Sequence, residues 1–272
     1  MRICWAGMCG PALVTGNLVR AVLDAFPEAR VFGLGGNAYD QGTEREYRQC
    51  YDAAWGSFNE RTAPVPGNHD YRSAGAKPYF DYFDDHPQAR ERGGYYSLDL
   101  ENWHVVAINS HISMEEGSPQ VEWLKADLRA NDKACILACW HHPLFSFGRH
   151  GALPWSPGRD TEQLWEVLNR HGGDLIVNGH ERFYERFRPQ NRFGEATPRG
   201  MRQIIVGTGG ARLQGVLRRR DNGVYLDNDH YGVLVLTLHP YSYEWAFLGT
   251  DGELHDASDG PVPCRDPDPT VS

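Results

Sequence analysis

The sequence predicts an α/β fold, and three features of the 272-residue chain lead to this prediction. Short apolar runs alternate with amphipathic segments over the first two thirds, a pattern typical of strands joined by helices. The last third contains strand-like runs separated by turn residues and has no helical period. The composition, 40% hydrophobic and 23% charged, lies in the globular range and allows a large core.

The predicted elements of the first two thirds follow in order along the chain. Strands are predicted where short apolar runs end at turn residues, at 2–7, 30–35, 95–100, 103–110, 134–140 and 174–179. Helices are predicted where apolar residues recur at three-to-four spacing, at 11–26, 43–55, 118–130 and 161–171. Pro11 suits the first position of a helix, because the N–H that it lacks would have no partner there.

The last third predicts a second sheet. Its strand-like runs lie at 202–206, 232–239 and 241–248, and turn residues without helical spacing separate them. This pattern indicates an antiparallel sheet packed on the first one. We therefore expect a single domain over residues 1–258. Residues 259–272 are rich in proline and aspartate, so we expect them to form a flexible tail.

Charge and hydropathy exclude two classes of partner. The chain has 27 basic and 36 acidic residues, and the net charge of -9 disfavours nucleic acid and anionic lipid as partners. The longest purely apolar run, 134–140, is far shorter than a membrane span. We expect neither a nucleic-acid partner nor a membrane.

The first residues of the sequence and its cysteines predict the cellular compartment. No charged segment followed by an apolar segment and a cleavage site opens the sequence, so we expect the cytoplasm. Cys4, Cys135 and Cys139 lie in apolar strand-like runs, and the six cysteines form no CxxC pair, which predicts mostly reduced thiols. Cys50 and Cys264 could pair only in an oxidising compartment. Lysine contributes only three of the 27 basic residues, which is typical of high-GC, bacterial coding sequence.

Histidine and asparagine side chains follow three of the apolar runs. These segments are 67–70, 140–143 and 178–180, and open α/β sheets gather ligands at the carboxyl ends of their strands. An amide oxygen and several imidazole nitrogens that converge there can bind a borderline divalent ion such as Zn, Fe or Mn. The three segments together predict a metal or ligand site, although each alone is a weak signal.

The same segments resemble a known family. Residues 35–39, 66–71, 140–146 and 179–186 (GGNAY, PGNHDY, WHHPLFS and GHERFYER) resemble motifs of the calcineurin-like metallophosphoesterases, with the purple acid phosphatase branch most similar. Weaker similarity extends over almost the whole chain. The resemblance implies a four-layer α/β/β/α sandwich, in which two stacked mixed sheets are flanked by helices, with a phosphoester site at the strand ends.

The resemblance also implies which site residues are kept and which are lost. The positions that match the family pattern are Tyr39, Asn68, His69, His141 and His180, together with His150 as a substrate-side histidine. Three positions where the family has metal ligands differ, and they hold Met8, Gly36 and Arg182.

The losses fall mainly on one of the family's two metals. That metal keeps only Tyr39, whereas the other keeps Asn68, His141 and His180 and lacks the bridging aspartate. Two-metal hydrolysis needs both ions close together, and Arg182 adds a permanent positive charge in their place. We therefore expect no dinuclear centre and either no cofactor or one divalent ion.

Supporting roles are expected for the neighbours of these residues. We expect Asp70 to orient His69, and His142 to pack or hydrogen-bond behind the site. Arg182 either faces the pocket or forms an ion pair with Glu181 or Glu185, and the sequence leaves both open. Cys9, Asp40 and Glu181 lie next to ligand positions, but neighbours on a strand end point elsewhere, so we do not expect them to replace lost ligands.

Three functions remain. A phosphoester hydrolase working with one metal or none would bind the phosphoryl group through Arg182, His69 and His150. A repurposed, metal-independent enzyme would act on a small metabolite, for example in a biosynthetic pathway. Its proton carriers would be His69, His141, His150, His180 and Tyr39. A noncatalytic protein would only bind a ligand. The hydrolase scaffold favours an enzyme that has lost dinuclear hydrolysis, and we expect an anionic small-molecule substrate.

Overall fold

A computed structural model describes residues 2–4, 11–84, 93–149, 157–217, 219 and 221–265. Its strands are β1 (Arg2–Cys4), β2 (Arg30–Leu34), β3 (Thr62–Val65), β4 (Tyr96–Leu100), β5 (Trp103–Ala107), β6 (Cys135–Trp140), β7 (Leu175–Asn178), β8 (Tyr184–Phe187), β9 (Arg202–Val206), β10 (Gly223–Asp227), β11 (Gly232–His239), β12 (Ser242–Gly249), β13 (Leu254–Ala257) and β14 (Val262–Pro263). Its α-helices are α1 (Pro11–Ala25), α2 (Glu44–Glu46), α3 (Asp52–Trp55), α4 (Lys77–Tyr82), α5 (Pro119–Ala130) and α6 (Glu162–Arg170).

The strands of the described residues form two seven-stranded mixed sheets. The first has the order β13-β12-β11-β1-β2-β3, and β14 pairs with β12. The second has the order β10-β8-β9-β7-β6-β5-β4. β1, β2 and β3 run parallel in the first sheet, as do β5, β6, β7 and β9 in the second. The carboxyl ends of these parallel strands carry the segments that the sequence singles out.

The two sheets stack face to face, and helices cover their outer faces. Strand β6 shows this arrangement, because Leu137 and Cys139 point into the core between the sheets while Ile136 and Ala138 pack with α5 and α6. Helices α1 and α3 pack on the outer face of the first sheet. The predicted four-layer α/β/β/α sandwich with two mixed sheets is confirmed.

The prediction of a separate antiparallel sheet in the last third is wrong. β9 and β10 join the second sheet, whereas β11, β12 and β13 extend the first, where Leu236 of β11 pairs antiparallel with Ile3 of β1. Periodicity marks a strand but does not reveal its partner. β3, β8, β10, β13 and β14 are also missing from the sequence prediction. Pro64 lies within β3, and it is tolerated there because β3 is at a sheet edge.

The helix predicted over 43–55 is confirmed, with an internal irregularity. It begins at a capping box in which the Thr43 side chain and Glu46 bond each other's backbone N–H groups. A π-helical turn, Tyr47–Tyr51, then separates α2 from α3. Among the described helices, none is both long enough and apolar enough to cross a bilayer.

The flexible tail predicted for 259–272 is wrong for its first part. β14 pairs with β12, Cys264 forms a disulfide with Cys135, and the N–H of Arg265 donates to Asp174 at 2.5 Å. These bonds fix residues 262–265 to both sheets. Residues 266–272 lie outside the described residues.

The prediction of mostly reduced cysteines is also wrong. Cys135 and Cys264 are joined, Cys50 is disulfide-bonded as well, and buried Cys139 is a free thiol. Cys264 therefore pairs with Cys135, not with Cys50. An apolar strand context is compatible with either redox state, because the opposing cysteine comes from a distant part of the chain.

Candidate active site

The predicted site residues come together from four loops. Tyr39 follows β2, Asn68 and His69 follow β3, His141 follows β6 and His180 follows β7. Each loop leaves the carboxyl end of a parallel strand, and the stacked sheets bring these ends together. Tyr39, His141, His180 and Arg182 line one small cavity.

Three donor atoms converge at the centre of this site. Nε2 of His141 lies 2.9 Å from Oδ1 of Asn68, and Nδ1 of His180 lies 3.3 Å from the same oxygen and 3.1 Å from the His141 nitrogen. Nδ1 of His141 donates to the carbonyl of Leu34 at 2.6 Å, which leaves a lone pair on Nε2. Metal-binding histidines characteristically donate their other nitrogen in this way. The donor set fits one borderline divalent cation.

Burial lowers the pKa of His141 well below its usual range, and the neighbouring His142 lowers it further. The ring is therefore neutral at physiological pH, which is the form that can ligate a metal.

Two backbone features make this convergence possible. Gly67 allows the loops to approach closely, because it has no Cβ. A Cβ at this position would lie 2.3 Å from the backbone nitrogen of Gly36 and 2.7 Å from the His141 ring. His180 has a φ of 66°, a left-handed conformation that is rare for a histidine. Such conformations concentrate at functional sites, where the surrounding structure maintains them.

Asp70 connects two of the loops, and its predicted contact with His69 is wrong. The buried carboxylate accepts N–H groups of Gly36 at 2.9 Å and Gly67 at 2.7 Å, and the hydroxyl of Tyr47 donates to it at 2.6 Å. It also accepts the N–H groups of residues 37 and 38. Asp70 thus holds the loops after β2 and β3 together.

Asp40 is the residue that contacts His69. Nδ1 of His69 lies 2.8 Å from the Asp40 carbonyl and 3.1 Å from its carboxylate, which also pairs with Arg72 at 2.6 Å. Burial lowers the pKa of His69, and Arg72 and Arg182 contribute in the same direction. From the sequence, Asp40 is considered only as a replacement ligand, because no sequence signal links it to His69.

Arg182 faces Tyr39. Its guanidinium carbon lies 5.4 Å from the centre of the Tyr39 ring. His69 stacks on the same ring at 3.8 Å. Glu185 instead accepts hydrogen bonds from Ser146 and the N–H of Phe147. Of the two orientations that the sequence left open, the structure has the one toward the pocket.

The remaining predicted residues have different outcomes. A Cβ at Gly36 would lie 3.0 Å from the Tyr39 ring. The Tyr39 ring therefore occupies the space beside the lost carboxylate position. His142 bonds Ser110 at 2.9 Å, and its ring lies 4.5 Å from that of His180, closer to the ligand set than expected. Met8, Cys9 and His150 lie outside the described residues.

Comparison with known proteins identifies the family. Residues 17–182 match the family model described as calcineurin-like phosphoesterase. The chain belongs to the calcineurin-like phosphoesterase family. Among curated relatives of this phosphoesterase, Purple acid phosphatase 15 of Arabidopsis thaliana is 29% identical over 183 residues, which is 62% of this chain and 34% of that protein. The chain therefore spans about a third of the length of this relative.

Solved structures share the calcineurin-like fold. Purple acid phosphatase PPD1 from yellow lupin superposes with a TM-score of 0.76 at 18% identity, covering 94% of this chain and 53% of that one. GAP50, described as the anchor in the inner membrane complex of Plasmodium, superposes with a TM-score of 0.69 at 14% identity, covering 98% and 89%. These superpositions show the shared fold. Together with the family match and the curated relative, they confirm the motif resemblance to the purple acid phosphatase branch.

Proposed function

We propose that this protein is a phosphoester hydrolase that works with one divalent metal and binds the phosphoryl group through Arg182. The observation that carries the proposal is the set of donor atoms from Asn68, His141 and His180, which lie within 3.3 Å of one another beside an inward-facing guanidinium. Zn, Fe or Mn suits this nitrogen and oxygen set. Bound there, the ion supplies Lewis-acid polarisation of the phosphoryl group.

The side chains around the metal ligands would bind the phosphoryl group and transfer protons. Arg182 offers a planar fork of N–H donors that matches two phosphoryl oxygens. Burial raises the pKa of Tyr39 although Arg182 opposes this, so the hydroxyl stays protonated and acts as a hydrogen-bond donor. His69, held by Asp40, presents its second ring nitrogen as a proton acceptor. His150 remains a predicted substrate-side residue.

The charge balance favours one ion over two. Gly36 supplies no carboxylate between the two family metal positions, and Arg182 adds a positive charge on the side of the lost metal. A second cation there would be repelled by the guanidinium and by the first ion. The substrate class is a small anionic phosphoester, in keeping with the net charge of -9, which disfavours nucleic acid.

The cysteines support an oxidising compartment for this activity and argue against the cytoplasm that the sequence suggests. Cys135, Cys264 and Cys50 are disulfide-bonded, and such bonds persist in extracellular or periplasmic surroundings.

A noncatalytic binding function is the second candidate. Gly36 and Arg182 remove ligands of the two-metal site, and a protein of this fold, GAP50, is described as an anchor. A pocket with a guanidinium and several imidazoles would then bind an anion without hydrolysing it.

Two measurements on the same proteins test the proposal. The protein is loaded with Zn²⁺, Mn²⁺ or Fe²⁺, and bound metal and p-nitrophenyl phosphate hydrolysis are compared with the His141→Ala/His180→Ala variant. We expect the variant to lose one metal per chain and at least about 100-fold in hydrolysis, as for loss of an electrostatic catalyst. His171→Ala, which removes a ring at the C-terminal end of α6, serves as control.

Three other outcomes would contradict the proposal of a one-metal hydrolase. A loss of two metals in the double variant would indicate a dinuclear centre. Metal binding without hydrolysis of any phosphoester would favour the noncatalytic function, and equal hydrolysis by native and variant protein would overturn the assignment of these histidines.

A further inference from the structure

We propose a second metal site, separate from the candidate active site, formed by Asp227, His230, His255 and Asp251. Asp227 ends β10, His230 lies in the loop before β11, Asp251 lies in the turn after β12, and His255 belongs to β13. The site would take a borderline divalent cation such as Zn²⁺, for which imidazole and carboxylate are suitable ligands.

The donor atoms already lie close to ligating positions. Nδ1 of His230 is 2.9 Å from Oδ2 of Asp227, and Nδ1 of His255 is 3.6 Å from the same oxygen. Ligand atoms of these three residues all lie within 4.8 Å of one another. Ligands of a tetrahedral zinc ion are about 3.3 Å apart, given bonds of about 2.0 Å. Small side-chain rotations would bring the set to this geometry.

Backbone hydrogen bonds hold the two carboxylates in place. Oδ1 of Asp227 accepts the N–H groups of Asp229 and His230, both at 3.0 Å. Oδ1 of Asp251 accepts the N–H of Glu253 at 3.1 Å. The other oxygen of each carboxylate faces the two rings. Partners that orient the ligands in this way are typical of metal sites.

The arrangement of the two rings between the two carboxylates favours a metal. The rings stack at 4.0 Å, and each has Asp227 near Nδ1 and Asp251 near Nε2. Each ring is within hydrogen-bonding distance of one carboxylate, His230 Nδ1 of Asp227 at 2.9 Å and His255 Nε2 of Asp251 at 3.0 Å. A neutral ring that donates there turns the lone pair of its other nitrogen toward the second carboxylate, at 3.8 Å for His230 and 3.6 Å for His255. One divalent cation neutralises both carboxylates and binds neutral rings through their lone pairs.

The burial of the four residues suits an ion that enters from solvent. The side chains of Asp227 and His255 are 7% and 15% exposed, whereas those of His230 and Asp251 are 43% and 39% exposed. Asp227 ends a strand of the second sheet and His255 belongs to the first. A bound ion would therefore link the sheets, and its binding should raise the thermal midpoint of unfolding.

The test uses the His141→Ala/His180→Ala variant as background, so that the active site does not contribute. This protein is titrated with ZnCl2 by calorimetry, and its thermal unfolding is followed with and without the ion. We expect one Zn²⁺ per chain and a raised thermal midpoint. Adding His230→Ala or Asp251→Asn should weaken binding at least about tenfold. Both residues are partly exposed, and circular dichroism verifies that the variants fold.

His239→Ala is the matched control. His239 pairs with a single carboxylate, Glu244, at 2.7 Å and lies on the same sheet, so its loss should leave Zn²⁺ binding unchanged. Absence of Zn²⁺ binding in the background protein would overturn the proposal, as would binding that His230→Ala and Asp251→Asn leave unaltered. Because the background lacks the active-site histidines, neither result depends on the proposed hydrolase function.

Discussion

Arg182 brings a permanent positive charge to a cavity that it shares with Tyr39, His141 and His180. The family pattern has a metal-binding histidine at this position, so one substitution both removes a ligand and supplies a cation. A guanidinium can bind phosphoryl oxygens but cannot activate water as a metal does. We therefore expect Arg182 to favour an anion over a second metal ion at this position.

Replacing Arg182 should weaken anion binding. Charge-assisted hydrogen bonds contribute about 1.5 to 3 kcal/mol each, so Arg182→Ala should lower the affinity for inorganic phosphate by about tenfold or more. Arg182→Lys should lose part of the phosphate affinity, because lysine lacks the planar fork of donors. Calorimetric titration with phosphate measures the change, and Arg188→Ala, at an exposed position, is the control. Equal phosphate affinity in Arg182→Ala and native protein would show that the guanidinium is structural.

His104 provides a second prediction for a single residue. Burial of the ring opposes its protonation, but hydrogen bonds to Asp127 and Asp99, both at 2.8 Å, outweigh it and raise the pKa of His104. A raised pKa in the folded state adds stability that is complete below about pH 6.5, the ordinary value, and is lost as the pH rises through the folded value.

Urea unfolding of His104→Gln against native protein tests this. The difference in free energy of unfolding should be largest at acidic pH and shrink toward alkaline pH. His171→Gln, whose ring bonds only a backbone carbonyl at 2.8 Å, is the control. A difference that stays constant from pH 5 to 9 would contradict the ion-pair explanation.

Loops after parallel strands set the geometry of the site, and the sequence predicts them well. The segments 35–39, 66–71, 140–146 and 179–186 follow strands in chain order, and the parallel arrangement brings them together. The sequence does not predict what fixes the loops, because Asp70 bonds groups that approach it only in the folded chain. Backbone N–H groups carry no sequence signal, so a contact with the adjacent His69 was expected instead.

Removing the Asp70 carboxylate should therefore affect both stability and the site. Asp70→Ala leaves several buried donors without an acceptor, and each costs about 1 to 3 kcal/mol, so we expect a loss of about 3 kcal/mol or more. Metal affinity should fall as well, because Asn68 lies on the loop that Asp70 holds. Urea unfolding and metal titration measure the two effects.

An exposed carboxylate that accepts from a tyrosine provides the control for Asp70→Ala. Tyr82 donates to exposed Asp52 at 2.6 Å, as Tyr47 does to buried Asp70. Asp52→Ala should cost less than about 1 kcal/mol. Similar losses in the two variants would mean that Asp70 does not organise the loops.

For the whole molecule, the sequence predicts the layers but not how the last third is distributed between them. Strand periodicity and the family motifs indicate two stacked sheets, and both are present. The assignment of β9 and β10 to one sheet and β11 to β13 to the other depends on long-range pairing. The disulfide and the order of residues 262–265 depend on such contacts too, and a proline-rich composition gives no indication of them.

The Cys135–Cys264 disulfide should stabilise the whole domain. It joins residues 129 positions apart and connects β6 of the second sheet to a segment paired with β12 of the first. Cross-links that close long loops typically add about 2 to 4 kcal/mol, so Cys135→Ala/Cys264→Ala should lower the free energy of unfolding by that amount. Cys139→Ala, which removes a buried unpaired sulfur, controls for lost packing and should cost about 1 kcal/mol.

Thiol titration of the denatured, unreduced protein tests the same bond chemically. Cys135, Cys264 and Cys50 are bonded, and each disulfide uses two sulfurs, so no more than two of the six cysteines should react. Four or more reactive thiols, or equal stability of the double variant and native protein, would show that the sheets hold together without this link. The thiol result alone would also make the cytoplasm a suitable compartment again, because the argument for an oxidising one depends on the presence of these bonds.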